Sequence, residues 1–289
     1  MIILRILHII PVICICVCLV VTGCSRDVDS KKTLQVKLKR VVSLSPSITR
    51  QIIDLGSEEL LAGVTSYHPQ LTKKVKIVGT LVKPNIEVIT MLRPDIVLLS
   101  AEDSAVQITD SLRTMDLNLH IFKRNMDFES ICGNYLALAE IIGKRGLALE
   151  RLEQYRKQRR QLMRKAGDSR VAVFISHEPL ITAGRGSFIS RIIEDSGGSN
   201  VYGNLRNPYP ILSVESLVAR NPAVIISMDR DPEVFFNRVL KGYGINAVRQ
   251  GHVYYIPPEK ISYYTPGDYV DSMRSISLII ERIKKGPEK

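Results

Sequence analysis

The stretch "NIEVITMLRPDIVLLS" (residues 85–100) recurs later in the chain, in altered form, as "SVESLVARNPAVIIS" (residues 213–227). In both copies a Glu, Glu87 or Glu215, precedes a Pro by seven residues (94 − 87 and 222 − 215). An apolar run rich in β-branched residues follows each Pro and ends on a Ser, a pattern that predicts a strand. The two glutamates are 128 residues apart (215 − 87). This repetition indicates that one half of the chain is a diverged copy of the other.

Both halves also begin in the same way, with a β-branched run, "RVVSL" at residues 40–44 and "RVAVFIS" at residues 170–176. A turn rich in Ser, Pro or Gly follows each run and leads into a helical pattern. The helix of the repeated stretch has a suitable N-cap in each half, Asn85 or Ser213. Strands that alternate with helices predict parallel sheets covered by helices. The predicted fold class is α/β, with two Rossmann-like lobes whose sheets are mainly parallel.

A long helical pattern, "GLALERLEQYRKQRRQLMRKAG", lies between the halves. We predict a bridging α-helix at residues 145–167, between an N-terminal α/β lobe at 39–144 and a C-terminal α/β lobe at 168–289. About twenty helical residues extend roughly 30 Å, the width of a small domain. Such a helix can hold two lobes apart with a cleft between them. Periodicity alone leaves a second arrangement open, in which the helix lies on one lobe.

The N-terminus carries the features of an export signal. One positive charge, Arg5, precedes an apolar run at residues 6–21. As a helix this run reaches only about 24 Å, short of the roughly 30 Å of a bilayer core. The following "VTGC" resembles the lipobox of bacterial lipoproteins, which implies that Cys24 is acylated and becomes the mature N-terminus. We therefore predict a signal peptide at residues 1–23 and a polar tether at 24–38. An ordinary signal peptide or a short membrane anchor are the alternatives.

The composition suits a two-domain globular protein of 289 residues, with 45% hydrophobic residues. The formal charge of +11 is concentrated at residues 37–40 and 155–165. Such clusters occur on protein surfaces that bind nucleic acids or membranes, but aromatic residues do not interleave with these two clusters. We therefore expect the first cluster to be a linker and the second to be a solvated helix face, and we expect no nucleic-acid partner. Cys132 is the one cysteine after Cys24, so the mature chain has no internal disulfide. We expect Cys132 to be a small buried hydrophobic residue.

Four segments together resemble the periplasmic binding proteins of ABC importers, in the class that serves cobalamin, ferric siderophores and haem. They are "RVVSLSPSITRQIIDLG", "IVGTLVKPNIEVITMLRPDIVLLS", "PLITAGRGSFISRIIEDSGGSNVYGN" and "YPILSVESLVARNPAVII". The resemblance covers about residues 40–283. It implies two α/β lobes joined by one long helix, a small-molecule ligand in the cleft, and modest closure. It also implies a monomer whose partners are a permease dimer and its ATPase.

The same resemblance implies that Glu87 and Glu215 dock onto arginines of the permease. A carboxylate on each lobe can form charge-assisted pairs with guanidinium groups, and two separated anchors would orient the cleft over the pore. Either Glu also lies in a first helical turn, where a negative charge is favoured by the helix dipole. The dipole alone is the alternative explanation.

In parallel sheets, ligands bind beyond the carboxyl ends of the strands. The ligand-binding residues predicted there are Ser45, Tyr67, His68, Leu81, Glu102, His177, Tyr209 and Asp229. The family resemblance adds Tyr263 and Tyr264, from a late loop that reaches the cleft.

The segments "PLITAGRGSF" and "KPNIEVI" resemble the cobalamin-binding branch most closely. Tyr209 stands where that branch often has a Trp, and Tyr67 matches a common pocket Tyr, which suits a corrinoid ring edged with amides. Leu81 and Ala101 replace residues that are often aromatic, and "YYTPGDYVDSMR" lacks the usual Arg after Pro-Gly.

Two other ligands remain open. A ferric siderophore would favour basic residues in the cleft, for which Arg185 and Arg206 are candidates. Haem could take Tyr67, His68 or His177 as an axial ligand, although an isolated His in a loop more often only forms hydrogen bonds.

An enzyme is not expected. "AGRGS" has too few glycines for a dinucleotide loop and lacks the Lys of a phosphate loop, and "HEP" lacks the second His of a zinc helix. We predict no catalytic residue, no metal site and no resident cofactor. The predicted location is the periplasm or cell surface, with a lipid on Cys24 as the membrane contact. A ligand-sensing lipoprotein without transport would show the same features.

Overall fold

The structure is a computed structural model that describes residues 38–102, 106–164, 167–261 and 265–285. The predicted signal peptide, Cys24, nearly all of the tether, and Tyr263 and Tyr264 lie outside these ranges. Within the described residues, no helix has the length and apolar character needed to cross a membrane.

The described body contains two separate sheets, one in each half of the chain. The first has the order β3-β2-β1-β4-β5, and all its pairings are parallel. Its strands are β1 (Val41–Ser43), β2 (Leu61–Val64), β3 (Lys76–Ile77), β4 (Ile96–Ser100) and β5 (Leu119–Phe122).

The second sheet has the order β10-β9-β6, and the far side of β6 is shared by β8, which runs parallel, and β7, which runs antiparallel. Its strands are β6 (Arg170–Ser176), β7 (Ile181–Thr182), β8 (Ser199–Asn200), β9 (Val224–Ser227) and β10 (Val253–Tyr255). The expectation of two α/β lobes with mainly parallel sheets is confirmed.

Helices connect the strands and cover the sheets. They are α1 (Pro46–Asp54), α2 (Ile86–Met91), α3 (Val106–Arg113), α4 (Phe128–Ile141), α5 (Arg145–Leu162), α6 (Phe188–Asp195), α7 (Val214–Arg220), α8 (Pro232–Leu240), α9 (Asn246–Arg249), α10 (Pro258–Ile261) and α11 (Pro266–Lys285).

The repeated stretch forms a capped helix followed by a strand in both lobes. Asn85 caps α2 by accepting the backbone N–H of Val88, and Ser213 caps α7 by accepting that of Ser216. After each helix, the residue before the Pro has a left-handed backbone, with φ of 44° at Arg93 and 40° at Asn221. A left-handed residue is a common helix end, and the Pro prevents continuation.

The first strand of each lobe is tied to the repeated stretch by matching hydrogen bonds. The Asp95 N–H donates to the Arg40 carbonyl at 2.8 Å, and the Ala223 N–H donates to the Arg170 carbonyl at 2.9 Å. The guanidinium groups of Arg40 and Arg170 in turn donate to backbone carbonyls at the ends of α2 and α7. The sequence repeat therefore reflects a repeat of three-dimensional structure.

The bridging helix α5 ends at Leu162, earlier than the predicted residue 167, because Met163 already has non-helical angles (φ −54°, ψ 129°). It packs against α4, which follows the last strand of the first sheet, and against α11, which follows the last strand of the second. The helix thus contacts elements of both lobes along its length.

Two ionic clusters fix α5 to the lobes, and the first involves Asp54, the last residue of α1. Its carboxylate accepts a hydrogen bond from Tyr135 on α4 and pairs with Arg151 of α5 at 2.8 Å. Burial, more than the hydrogen bond to Asp54, raises the pKa of Tyr135 well above its usual range. The Tyr135 phenol therefore keeps its proton and remains the hydrogen-bond donor to Asp54.

The second cluster repeats the first in the other lobe. Asp195, the last residue of α6, accepts a hydrogen bond from Tyr269 on α11 at 2.8 Å and pairs with Arg159 of α5 at 2.7 Å. The Asp195 side chain is only 8% exposed. The Arg159 guanidinium also lies 5.0 Å from the ring centre of Phe128. Each lobe therefore holds α5 with the same combination of Asp, Tyr and Arg.

One hydrophobic core extends through both lobes. It includes Val41 from the first sheet and Val171 from the second, with side chains of α4, α5 and α11 between them. Cys132 belongs to this core and is 1% exposed, as expected for a small buried hydrophobic residue. Burial raises the pKa of its thiol to about 12, so the thiolate is scarcely populated at neutral pH.

Candidate functional site

The structure places the predicted ligand residues after the carboxyl ends of strands. In each sheet the parallel strands end at one edge, so the residues that follow them gather along it. Ser45 follows β1, Tyr67 and His68 follow β2, Leu81 follows β3, Glu102 follows β4, His177 follows β6, and Asp229 follows β9. Tyr209 lies in the loop between β8 and α7.

In the first lobe, Glu102 joins the ends of β4 and β5. Its carboxylate accepts hydrogen bonds from the backbone N–H of Asn125 at 3.0 Å and from its side-chain amide at 3.2 Å. The Asn125 side chain is fixed in turn by Asn134, whose amide donates to it at 2.8 Å. The sequence analysis did not select Asn125, although a polar residue three positions after a strand is a candidate for the group of residues at the strand ends.

Ser45 is fully buried at the start of α1, with its hydroxyl 2.8 Å from that of Ser47. Its carbonyl accepts from the hydroxyls of Ser43 and Thr49 at 3.0 Å each. These bonds give Ser45 a role in shaping the turn after β1. Its contact with a ligand stays a prediction.

In the second lobe, His177, Ser227 and Asp229 come together at the ends of β6 and β9. The Nε2 atom of His177 is 2.5 Å from the Ser227 hydroxyl, and the His177 backbone N–H donates to Asp229 at 2.7 Å. The ring stacks on Phe235 with centroids 4.4 Å apart. Burial lowers the pKa of His177, against the opposing effect of the Asp229 carboxylate, so the ring is neutral at pH 7.

Ser, His and Asp also form the catalytic triads of hydrolases, but in this protein the Ser and His side chains are not accessible to a substrate. Ser227 has no exposed surface, and His177 is 9% exposed. A substrate carbonyl could not reach the hydroxyl, as nucleophilic attack would require. The arrangement instead fixes the backbone at the rim of the second lobe.

Tyrosines provide the exposed aromatic surface along these strand ends. Tyr67 is 49% exposed and Tyr209 37% exposed. Tyr255, the last residue of β10, is 41% exposed and was missed by the sequence analysis. The run "VYYIPP" that contains it is a strand pattern ending at two prolines, which could have indicated a strand end. His68 is half-buried, with Nδ1 2.7 Å from the Pro69 carbonyl.

A cavity of about 400 Å³ lies where the lobes meet. It is lined by Arg50, Pro69 and Gln70 of the first lobe and by Glu259, Lys260 and Asp268 of the second. A second cavity of about 640 Å³ shares Glu259 and is lined further by Arg230, Glu233, Val234 and Tyr255, among others.

Arg50 and Asp268 form an ion pair of 3.4 Å across this cavity. Burial raises the pKa of Asp268, while hydrogen bonds from Thr265 and Arg50 act in the opposite direction. The Thr265 hydroxyl donates to the same carboxylate at 2.6 Å. This pair connects the lobes directly, and no local sequence pattern could predict it because its members are 218 residues apart.

Glu87 and Glu215 are both exposed in the first turns of α2 and α7. The backbone N–H of Glu215 and the Ser213 hydroxyl lower the pKa of Glu215. Each lobe therefore presents a carboxylate to solvent at the same position of the repeated fold.

Among the described residues, no group of three or more His, Cys, Asp or Glu side chains is arranged to bind a metal ion. The site consists of hydrogen-bonding and aromatic groups, which suit binding of an organic ligand.

The sequence profile of the family described as "Periplasmic binding protein" matches residues 41–260. The "Vitamin B12-binding protein" of Salmonella typhi is 28% identical over 200 residues, which are 68% of this chain and 74% of that protein. The protein of the same name from Yersinia pestis (strain Pestoides F) is 26% identical over 193 residues, 65% of this chain and 69% of that protein.

Solved structures share the fold. The periplasmic vitamin B12 binding protein BtuF of Vibrio cholerae superposes with a TM-score of 0.72 at 21% identity, covering 86% of this chain and 99% of that one. The periplasmic heme binding protein HutB of Vibrio cholerae superposes with a TM-score of 0.75 at 18% identity, covering 84% and 99%.

Proposed function

Because the chain belongs to the family of periplasmic binding proteins, we propose that it captures a corrinoid between its lobes and delivers it to an ABC importer. Members of this family carry ligands and are not a class of enzymes. The buried Ser227 beside His177 agrees with a binding role.

The corrinoid assignment is carried by the sequence relatives. The proteins from Salmonella typhi and Yersinia pestis that match about two thirds of this chain are named for vitamin B12. The exposed rings of Tyr67, Tyr209 and Tyr255 support it, because phenols offer both an apolar face and a hydroxyl to a ring edged with amides. Tyr255 lines the cavity of about 640 Å³, which shares Glu259 with the cavity where the lobes meet, so space for a ligand lies beside this ring.

Haem is the second candidate, since HutB shares the fold at a similar TM-score. His177 is poorly suited to bind the haem iron, because its Nε2 is hydrogen-bonded to the Ser227 hydroxyl and its ring is stacked against Phe235. Of the three axial ligands predicted from the sequence, Tyr67 and His68 remain as candidates.

Calorimetric titration of the purified protein decides between these ligands. We expect cyanocobalamin to bind one to one, and hemin and ferric siderophores to bind at least about a hundredfold more weakly, a difference of about 2.7 kcal/mol. Binding of hemin or a siderophore alone would refute the corrinoid assignment and leave the transport role standing. Failure of all these ligands to bind would refute both.

A substitution then locates the ligand. Tyr209→Ala is expected to weaken cyanocobalamin binding about tenfold, since a contacting aromatic ring is lost. Tyr243→Ala is the matched control, because Tyr243 is 54% exposed in the loop between α8 and α9. Equal affinity in the two variants would contradict a ligand contact at Tyr209.

We propose further that the protein acts outside the cytoplasm as a monomer anchored by a lipid on Cys24. A tether at residues 24–38 would leave the lobes free to meet the permease. Glu87 and Glu215 are the proposed permease contacts, supported by their exposure and their equivalent positions in the two lobes.

A further inference from the structure

The most exposed large apolar side chains in the described part of the protein flank the two glutamates. Val82 is 81% exposed, Met91 80% and Ile211 69%. Val82 and Met91 lie near Glu87 in the first lobe, and Ile211 lies near Glu215 in the second. Single exposed apolar residues are common on protein surfaces. The three largest exposures all lie close in sequence to one or other of these glutamates, which indicates an interaction surface.

In the first lobe the apolar residues are fixed on both sides of the carboxylate. Met91 follows Glu87 by four residues in α2, so the two side chains are neighbours on one helix face. Val82 lies in the tight turn before α2. This turn requires Gly79, whose φ is 101° and where a Cβ would lie 2.6 Å from the Lys83 carbonyl oxygen. The exposure of Val82 is therefore set by a rigid backbone.

In the second lobe the backbone around Ile211 is also fixed. Ile211 forms an isolated antiparallel bridge with Ile181 of β7. The next residue, Leu212, donates its N–H to the Leu180 carbonyl at 2.8 Å. Glu215 follows Ile211 by four residues (215 − 211). The turn of the first lobe and this loop occupy the same place in the repeat, because Lys83 and Ile211 are again 128 residues apart (211 − 83).

Such a surface favours binding in two ways. A side chain on a fixed backbone loses little conformational freedom when it is buried against a partner. Apolar groups around a carboxylate also exclude water from its ion pair, which strengthens the pair in the complex.

We propose that Val82 and Met91 with Glu87, and Ile211 with Glu215, form two apolar-rimmed docking patches for the importer's permease. One such patch on each of the two duplicated lobes fits a partner made of two like subunits. Each subunit would present a guanidinium group surrounded by apolar side chains. This inference rests on the proposed transport function and adds apolar contact to its docking step.

The test uses the triple variant Val82→Ser, Met91→Ser, Ile211→Ser, expressed as the full chain in cells in place of the original gene. The probe is the compound that binds in the titration above, cyanocobalamin in the expected case, in radiolabelled form. We expect the initial uptake rate at equal protein level to fall about tenfold or more, since the loss of about 1.4 kcal/mol of docking energy has that effect. The dissociation constant for the probe should change less than about twofold.

The matched control removes three exposed apolar side chains elsewhere, with Leu149→Ser on α5, Met163→Ser directly after α5, and Leu278→Ser on α11. This variant should keep uptake within about twofold of the original. Unchanged uptake by the first variant would overturn the inference and leave the transport function intact. Loss of probe affinity would also overturn it, by assigning these side chains to the ligand. No uptake through the unaltered protein would overturn the proposed function and this inference together.

Discussion

The double variant Glu87→Ala, Glu215→Ala is expected to bind cyanocobalamin with unchanged affinity and to support only background uptake. Both carboxylates are exposed, so their removal leaves no buried partner unpaired within the lobes. Docking would lose both charge-assisted anchors at once, and the truncated glutamates would leave two permease guanidinium groups unpaired in the interface. Uptake of radiolabelled ligand, together with calorimetry of the purified variant, measures the two effects separately.

The control for this variant is Glu150→Ala, Glu153→Ala on α5, which makes the same change of net charge at exposed positions. It should transport normally. Normal uptake by the Glu87/Glu215 variant would remove the docking role and leave the helix dipole as the reason for both glutamates. A protein that only senses ligand would show no uptake in any variant.

The second large effect is expected on stability. Arg159→Met should lower the free energy of unfolding by about 3–5 kcal/mol, because it leaves the buried Asp195 carboxylate without its cation. The Met side chain retains most of the apolar contact of the Arg stem, so the loss reports mainly on the charge. Unfolding in urea, followed by circular dichroism, measures it.

Arg156→Met provides the comparison on the same helix. Arg156 pairs with Glu129 at 2.8 Å, but both side chains are well exposed (41% and 59%). Such pairs contribute about 0–1 kcal/mol. If the Arg156 and Arg159 variants had equal stability, the Asp195 cluster would not be the structural junction that its burial indicates.

The elements that follow local rules could be predicted from the sequence. Asn85 and Ser213 are good N-caps, and a Pro after each helix forces its end, so the repeated stretch could be placed on helix and strand. Tyr67 follows β2 of a parallel sheet, as expected, whereas Tyr209 lies in the loop between β8 and α7. The contact of either tyrosine with a ligand stays a prediction.

Features that depend on distant contacts could not be found this way. The pair Arg50–Asp268 joins parts of the chain that share no pattern. Phe235 from α8 stacks on the ring of His177, a contact between distant residues that the strand pattern did not indicate. The contact of His177 with a ligand stays a prediction. The end of α5 was placed too late, because the basic residues after Leu162 are good helix formers and only the turn at Met163 ends the helix.

Arg151 and Arg159, the two arginines through which α5 is paired with the two lobes, are eight residues apart (159 − 151). Each residue of an α-helix adds about 1.5 Å of rise and about 100° of rotation, since there are 3.6 residues per turn. The number of residues between the two arginines therefore sets the angle at which one half of the molecule faces the other. Inserting a single residue there would turn the halves by roughly a quarter of a circle and misalign Glu87 with Glu215, whereas inserting seven would nearly restore the angle.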